Sequence, residues 1–251
     1  WVERELFLAL WVGIAFATAL YLFGVFRMPH DDEPIGGLGV GRMLTGVVFL
    51  VTGFYLLPGI WGAPVKLVAG FPPPSFYAEN PNGMGVSSAP SGEKKPSAKA
   101  HCPLNLPCFN DYESARTYAI EAGKPILLDF TGWGCVNCRK MEEEVWSRPE
   151  VRKRLAEDVV LVSLYVDERT ELPIEQYRVS TITGKNIKTV GQKWADMQAE
   201  YFNVNAQPYY VLVDPAADSP VAINGHTVYN PDPLVFVSWL DSGLRIFNAA
   251  K

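Results

Sequence analysis

Hydrophobic positions in this chain follow two patterns. Residues 6–26, LFLALWVGIAFATALYLFGVF, and residues 43–61, MLTGVVFLVTGFYLLPGIW, are apolar runs without a charged residue. A bilayer core of about 30 Å needs roughly 20 apolar residues in a helix, so both runs are predicted to be transmembrane helices. The alternative is a pair of buried helices in a soluble protein, but such helices usually keep a polar face. Gly46, Gly53 and Pro58 suit a span, where small residues let helices approach closely. The first run lacks a basic start, is too long for the apolar part of a signal peptide, and is followed by a second span. The chain begins at Trp1 and reads as the C-terminal part of a longer protein. Two spans place residue 1 and the large C-terminal region on one side. Arg27 and Arg42, weighed against Arg4 and Lys66, put the connecting loop RMPHDDEPIGG in the cytoplasm.

Residues 63–100 read as a linker. FPPPSF is stiff because proline fixes φ, and NPNGMGVSSAPSGEKKPSAKA is rich in Gly, Pro, Ser and Lys. From residue 101 the pattern alternates. DYESARTYAIEAG reads as a helix opened by Asp111 or Asn110 and closed by Gly123. KPILLDFTG is a continuous apolar strand of the kind buried on both faces of a sheet. A helix follows from about Cys135 to Trp146, then a second helical piece with Ser147 as candidate N-cap. VVLVSLYVD is a strand, GQKWADMQAEYF a helix and PYYVLVD a strand. VAINGHTVY reads as a hairpin turning at Asn224-Gly225, and DPLVFVSWLDSGLRIF as a closing amphipathic helix. This order predicts an α/β domain over residues 101–251 with a mixed sheet, preceded by two spans within residues 1–62.

The formal net charge of -5 and the lack of a long basic cluster argue against nucleic-acid binding. No internal repeat is evident, and the EKK and RKR runs read as solvated faces. Composition matters most through its four cysteines and three histidines.

Cys135 and Cys138 form a CxxC in GWGCVNCRK, between a buried strand and a helix. A structural zinc site needs four ligands, and Cys102 and Cys108 are spaced differently. Two inert core cysteines are the second reading. The third is redox exchange. Cys135 at a helix N-terminus meets free N–H groups and the helix macrodipole, which favour the reactive thiolate. Cys138, one turn later, can close a disulfide with it.

LLDFTGWGCVNC resembles the active-site segment of thioredoxin-fold proteins, which implies a thioredoxin-like fold. Asp129 stands where that family carries a buried acid, and the resemblance implies that it assists deprotonation of the second cysteine. A polar strand-end residue with its own hydrogen bonds is the alternative. NAQPYYVLVD resembles the segment bearing the family's cis-proline, so Gln207–Pro208 is the expected cis bond. GKPILLDFTGWGCVNCRKMEEEVWSRPEV is further similar to the C-terminal periplasmic domain of DsbD-type thiol:disulfide interchange proteins. Two spans, a linker and a thioredoxin-like domain also match that arrangement. The family's N-terminal periplasmic domain and its membrane cysteine pair are absent from this sequence. Residues 169–198 look like an insertion, either a partner-docking surface or a plain surface excursion.

His101, Cys102 and Cys108 lie in HCPLNLPCFN, just outside the expected core fold. A short-loop disulfide, a second redox pair and a metal pair with His101 are the three readings. The resemblance implies a membrane-anchored protein-disulfide reductase in a bacterial inner membrane, its C-terminal domain in the periplasm. It implies electrons arriving from a membrane-embedded redox domain of the same protein. They leave to periplasmic thiol–disulfide proteins, with cytochrome c maturation and disulfide repair downstream. Cys135, Cys138, Asp129 and Pro208 would carry the chemistry, and no cofactor is expected because the electrons ride on sulfur. A disulfide oxidase or isomerase, and an anchored binding module with a static disulfide, are the alternatives.

Overall fold

A computed structural model describes residues 3–29, 31, 38–63, 65–68, 70–73 and 102–250. Most of the linker and His101 lie outside the described residues. The chain divides into two compact units, Trp1–Ser88 and Ala89–Lys251.

In the first unit, α1 (Arg4–Leu22) and α2 (Val40–Leu56) pack together, and a 3-10 turn (Leu57–Trp61) follows α2. Helix α1, and α2 together with the turn that continues it to Trp61, are each long and apolar enough to cross a membrane. Helix α1 ends short of the expected Phe26, with Gly24 just beyond it at a φ of 77°. The contact needs glycine at two places. A Cβ at Gly46 would lie 2.6 Å from the Phe23 ring, and one at Gly53 2.6 Å from the Phe16 ring. Arg42 donates to the carbonyls of Leu22 and Tyr21, satisfying the end of α1. Leu10, Ile14, Val48 and Val51 remain exposed.

The second unit is a five-stranded sheet in the order β1-β3-β2-β6-β7. Its strands are β1 (Cys108–Phe109), β2 (Ile126–Thr131), β3 (Val160–Tyr165), β6 (Tyr209–Val213) and β7 (Ala222–Val228); β4 (Arg178–Val179) and β5 (Asn186–Ile187) form a separate hairpin. Strands β1, β3 and β2 are parallel, and β6 runs antiparallel to both of its neighbours, β2 and β7. Every residue of β2 and β3 is buried, which is why they read as unbroken apolar runs. Helices α3 (Tyr112–Ala122) and α6 (Val190–Phe202) cover one face, around Phe130, Val162 and Trp194. The opposite face takes α4 (Val136–Lys140), α5 (Pro149–Glu157) and α7 (Pro233–Ala249), around Leu127, Trp146, Tyr210 and Phe236.

Local chemistry fixes the ends. Asp111 caps α3 by accepting from Ser114 N–H at 2.9 Å, and Gly123 closes it at a φ of 61°. Asn110 instead donates across to the Ser163 carbonyl. Four sequence expectations need correction. Arg148, not Ser147, occupies the N-cap of α5, because Pro149 takes the first helical position and the Ser147 hydroxyl donates back to Glu143 O. Residues 222–228 form one strand rather than a hairpin at Asn224-Gly225. There the Asn224 amide bonds Trp239 O of α7, and Gly225 takes a φ of 80° inside the strand. The expected insertion is shorter than residues 169–198, since α6 begins at Val190 and buries Trp194, Met197 and Gln198. Thr189 and Gln192 form its capping box.

The fourth correction concerns the segment before the core. Cys108 is not outside the sheet but in edge strand β1, paired with Leu161. It is buried and disulfide-bonded to the partly exposed Cys102, with Cα atoms 5.7 Å apart. This geometry favours a brace. Replacing both cysteines with serine should therefore cost about 2 kcal/mol for so short a closed loop. Exchange at Cys135 should survive. Denaturant midpoints and turnover measure the two effects, and a folded variant without turnover would make the pair a relay.

Candidate active site

Strand β2 ends at Thr131, and residues 132–134 turn the chain into α4. Cys135 is the N-cap of that helix, where the first N–H groups have no helical partner. Its Sγ accepts from Cys138 N–H at 3.2 Å. The two cysteines form a disulfide with Cα atoms 5.3 Å apart. Cys135 is half-buried and its neighbour Val136 is exposed, whereas Cys138 is only 1% exposed. Alkylation of the reduced chain near neutral pH should therefore label Cys135 first, as peptide mapping can report; preferential labelling of Cys138 would reverse the roles proposed below.

An open groove of about 510 Å³ runs past Cys135, lined also by Gly134, Asn137, Asp167, Asn205 and Gln207. The Gln207–Pro208 bond in the opposite wall is cis. Gln198 of α6, fully buried, donates to Ala206 O at 2.9 Å and so ties that wall to the core.

A buried polar cluster shares the sheet face that carries α4. Asp129 is 1% exposed and accepts from the Ser163 hydroxyl at 3.0 Å. Burial pushes its carboxyl up to about 7, against the pull of that hydrogen bond and of Arg139. Arg139, also buried, pairs with Glu142 at 2.7 Å and donates to Thr131 Oγ1 at 3.2 Å. Burial raises the Glu142 carboxyl, and the guanidinium opposes that rise. Burial also raises the Tyr165 and Tyr210 phenols. Beyond α4 the helix widens over Met141–Trp146, with Ser147 N–H bonding five residues back to Glu142 O.

Asp129 thus lies in β2, Cys135 and Cys138 stand at the start of α4 just beyond that strand, and the cis bond of Pro208 follows the groove residue Gln207. All four cysteines are paired, as two separate disulfides. Sequence reasoning missed Arg139, Glu142 and Ser163. Glu142 had a signal, since it lies one helical turn after Cys138 on the same face. Ser163 had none, because its place opposite Asp129 comes from the β2–β3 register.

Comparison with known proteins agrees with this architecture. A family model described as thioredoxin-like matches residues 108–215. The chain is 28% identical over 155 residues to the thiol:disulfide interchange protein DsbD of Ralstonia nicotianae, covering 61% of this chain and 22% of that protein. It is 29% identical over 147 residues to DsbD 2 of Pseudomonas aeruginosa, covering 57% and 22%. A solved structure titled DsbH Oxidoreductase superposes with a TM-score of 0.41 at 20% identity, over 59% of this chain and 93% of that one. The chain therefore spans 22% of the length of these two curated relatives. The fold and the family model make the soluble unit a thioredoxin-like domain, and it is similar to a part of the DsbD thiol:disulfide interchange proteins.

Proposed function

We propose that this chain is a membrane-anchored protein-disulfide reductase that passes electrons through its CVNC pair to periplasmic acceptors. One observation carries the reading: a half-buried sulfur at a helix start is bonded to a shielded one, in a domain whose strand leading to them holds a buried carboxyl raised to about 7. In the reduced domain the Cys135 thiolate attacks an acceptor disulfide. A new bond joins Cys135 to one acceptor sulfur, and the other leaves as a thiolate. Cys138 then gives its proton to Asp129 and attacks Cys135. The Cys135–Cys138 disulfide forms, and the second acceptor sulfur leaves. Two electrons have moved to the acceptor, and protonation of its thiolates completes the balance. Pro208 shapes the groove wall against which the acceptor strand lies.

The two apolar helices support membrane anchoring; the inner membrane and a periplasmic soluble unit are part of the proposal. Electrons would reach Cys135–Cys138 from a membrane-embedded redox domain of the longer protein. A disulfide oxidase is the second reading. The VN between the cysteines brings no positive charge to stabilise a thiolate, which favours the reductant. Equilibration with glutathione buffers tests the direction. A strongly reducing value, near that of thioredoxin at about -270 mV, is expected, and one near DsbA, at about -120 mV, would defeat the reductase reading.

A further inference from the structure

The loop that delivers Cys135 is held by two neighbouring carboxylates. Asp167 accepts from Trp133 N–H at 2.8 Å and from Gly134 N–H at 3.1 Å, one bond to each carboxylate oxygen. Glu168 accepts from the Trp133 indole N–H at 2.8 Å, and that ring stacks on Tyr165 with centroids 4.0 Å apart. The turn bearing both acids is itself fixed. Gly191 N–H donates to Glu168 O, and a Cβ at 191 would lie 2.6 Å from Val166 O, so α6 sits directly on it. Asp167 is exposed and lines the same groove as Cys135. One carboxylate thus engages the two N–H groups that immediately precede the cap and puts negative charge on the groove wall.

We propose that Asp167 is a positioning residue that keeps the Cys135 thiol protonated in the free reduced domain, by holding those two donors and by repelling the thiolate. The inference rests on Cys135 being the attacking thiol. A helix start ordinarily favours a thiolate through free N–H groups. Among the described residues, one hydrogen bond reaches Cys135 Sγ, from Cys138 N–H. The ionisable groups on the neighbouring elements are of both signs, with Lys140 of α4 and Arg169 beside Glu168 as well as the acids. Strand β2 contributes Asp129, and the α4 segment contributes Arg139, paired with Glu142. Tyr165 stands at the end of β3, and Asp167 and Glu168 follow it. On the opposite wall, Asn205 and Gln207 are uncharged. A protonated Cys135 reacts slowly with small disulfides, so reducing power is kept for partners that occupy the groove.

The test is the pH dependence of iodoacetamide labelling at Cys135, read by peptide mass spectrometry on the reduced full chain in nanodiscs. Asp167→Asn should lower the midpoint by about half to one pH unit, a like-charge effect reduced by solvent exposure. That is roughly three to ten times more thiolate at pH 7. Labelling there should quicken only about two- to threefold, because nucleophilicity falls with pKa. Above the midpoint the glutathione equilibrium should move three- to tenfold toward the dithiol, about 14–30 mV. Asp167→Ser should shift the same way and reads the same quantity if the asparagine chain misfolds. Asp167→Glu keeps the charge and should stay near wild type. In the wild-type chain, high salt should lower the midpoint by screening the exposed charge. An unchanged or raised midpoint in the folded neutral variants would overturn the proposal, as would no response of the wild type to salt. Labelling at Cys138 before Cys135 would instead overturn the reading on which it rests.

Discussion

Replacing Cys138 with serine is expected to abolish turnover while leaving the first attack intact. Cys138 is 1% exposed, so an incoming protein reaches Cys135 and not the sulfur behind it. Its chemical task is then intramolecular. Within the chain, the thiolate three residues along the helix start is the group placed to displace the acceptor from Cys135, and a serine hydroxyl does not ionise near neutral pH. The variant should accumulate one covalent acceptor per chain, released by added small thiol. Cys135→Ser should accumulate none. Cys102 and Cys108 remain bonded to each other in both variants and give no competing adduct. Non-reducing electrophoresis followed by mass spectrometry reads the result. Sustained turnover in Cys138→Ser would sink the two-cysteine mechanism.

The Asp129→Asn chain should show the second largest change, in both kinetics and stability. The Asp129 carboxyl titrates at about 7 in the folded domain because burial disfavours its charge. In the unfolded chain it titrates near 3.9. The folded pKa is the higher one, so the group's stabilising contribution is full below about pH 4. It is lost as pH rises through about 7. The loss is at most on the order of 4 kcal/mol for a shift of about three units. Asparagine has no charge to bury, so the variant's stability should fall less than that of wild type between pH 4.5 and 8, the remaining fall coming from the buried Glu142 carboxyl, which is also raised. At pH 8 it should unfold at higher denaturant than wild type. Resolution by Cys138 should meanwhile slow roughly 10²-fold near pH 7, the usual worth of a placed proton acceptor. First attack by Cys135 should change much less. Stopped-flow exchange across this range separates the steps, and matching pH profiles for the two chains would make Asp129 purely structural.

Strands β2 and β3 were legible because burial on both faces removes the need for polar positions. The α3 caps were legible because Asp111 and Gly123 act within their own turn. Strand β1 was not, since two residues become a strand only by pairing with β3. Asn224-Gly225 misled for a related reason. The local turn preference loses to a hydrogen bond with α7, a partner fifteen residues away. At the site, Cys135, Cys138 and Asp129 lie on one continuous segment and could be read together. Arg139 and Glu142 were passed over, and it is their mutual ion pair that lets both be buried. Asp167 gave no signal, because its bonds to Trp133 and Gly134 exist only once β2 and β3 end side by side.

The stacking of Trp133 on Tyr165 also has an optical consequence. The indole lies two residues before the reactive sulfur, and its N–H is fixed by Glu168. An excited indole is quenched by a nearby disulfide and less so by thiols, so emission should brighten as Cys135–Cys138 is reduced. Trp133→Phe should remove most of that change and leave the signals of the other six tryptophans as background. The domain therefore contains its own fluorophore for following electron arrival and departure in real time, without an attached dye.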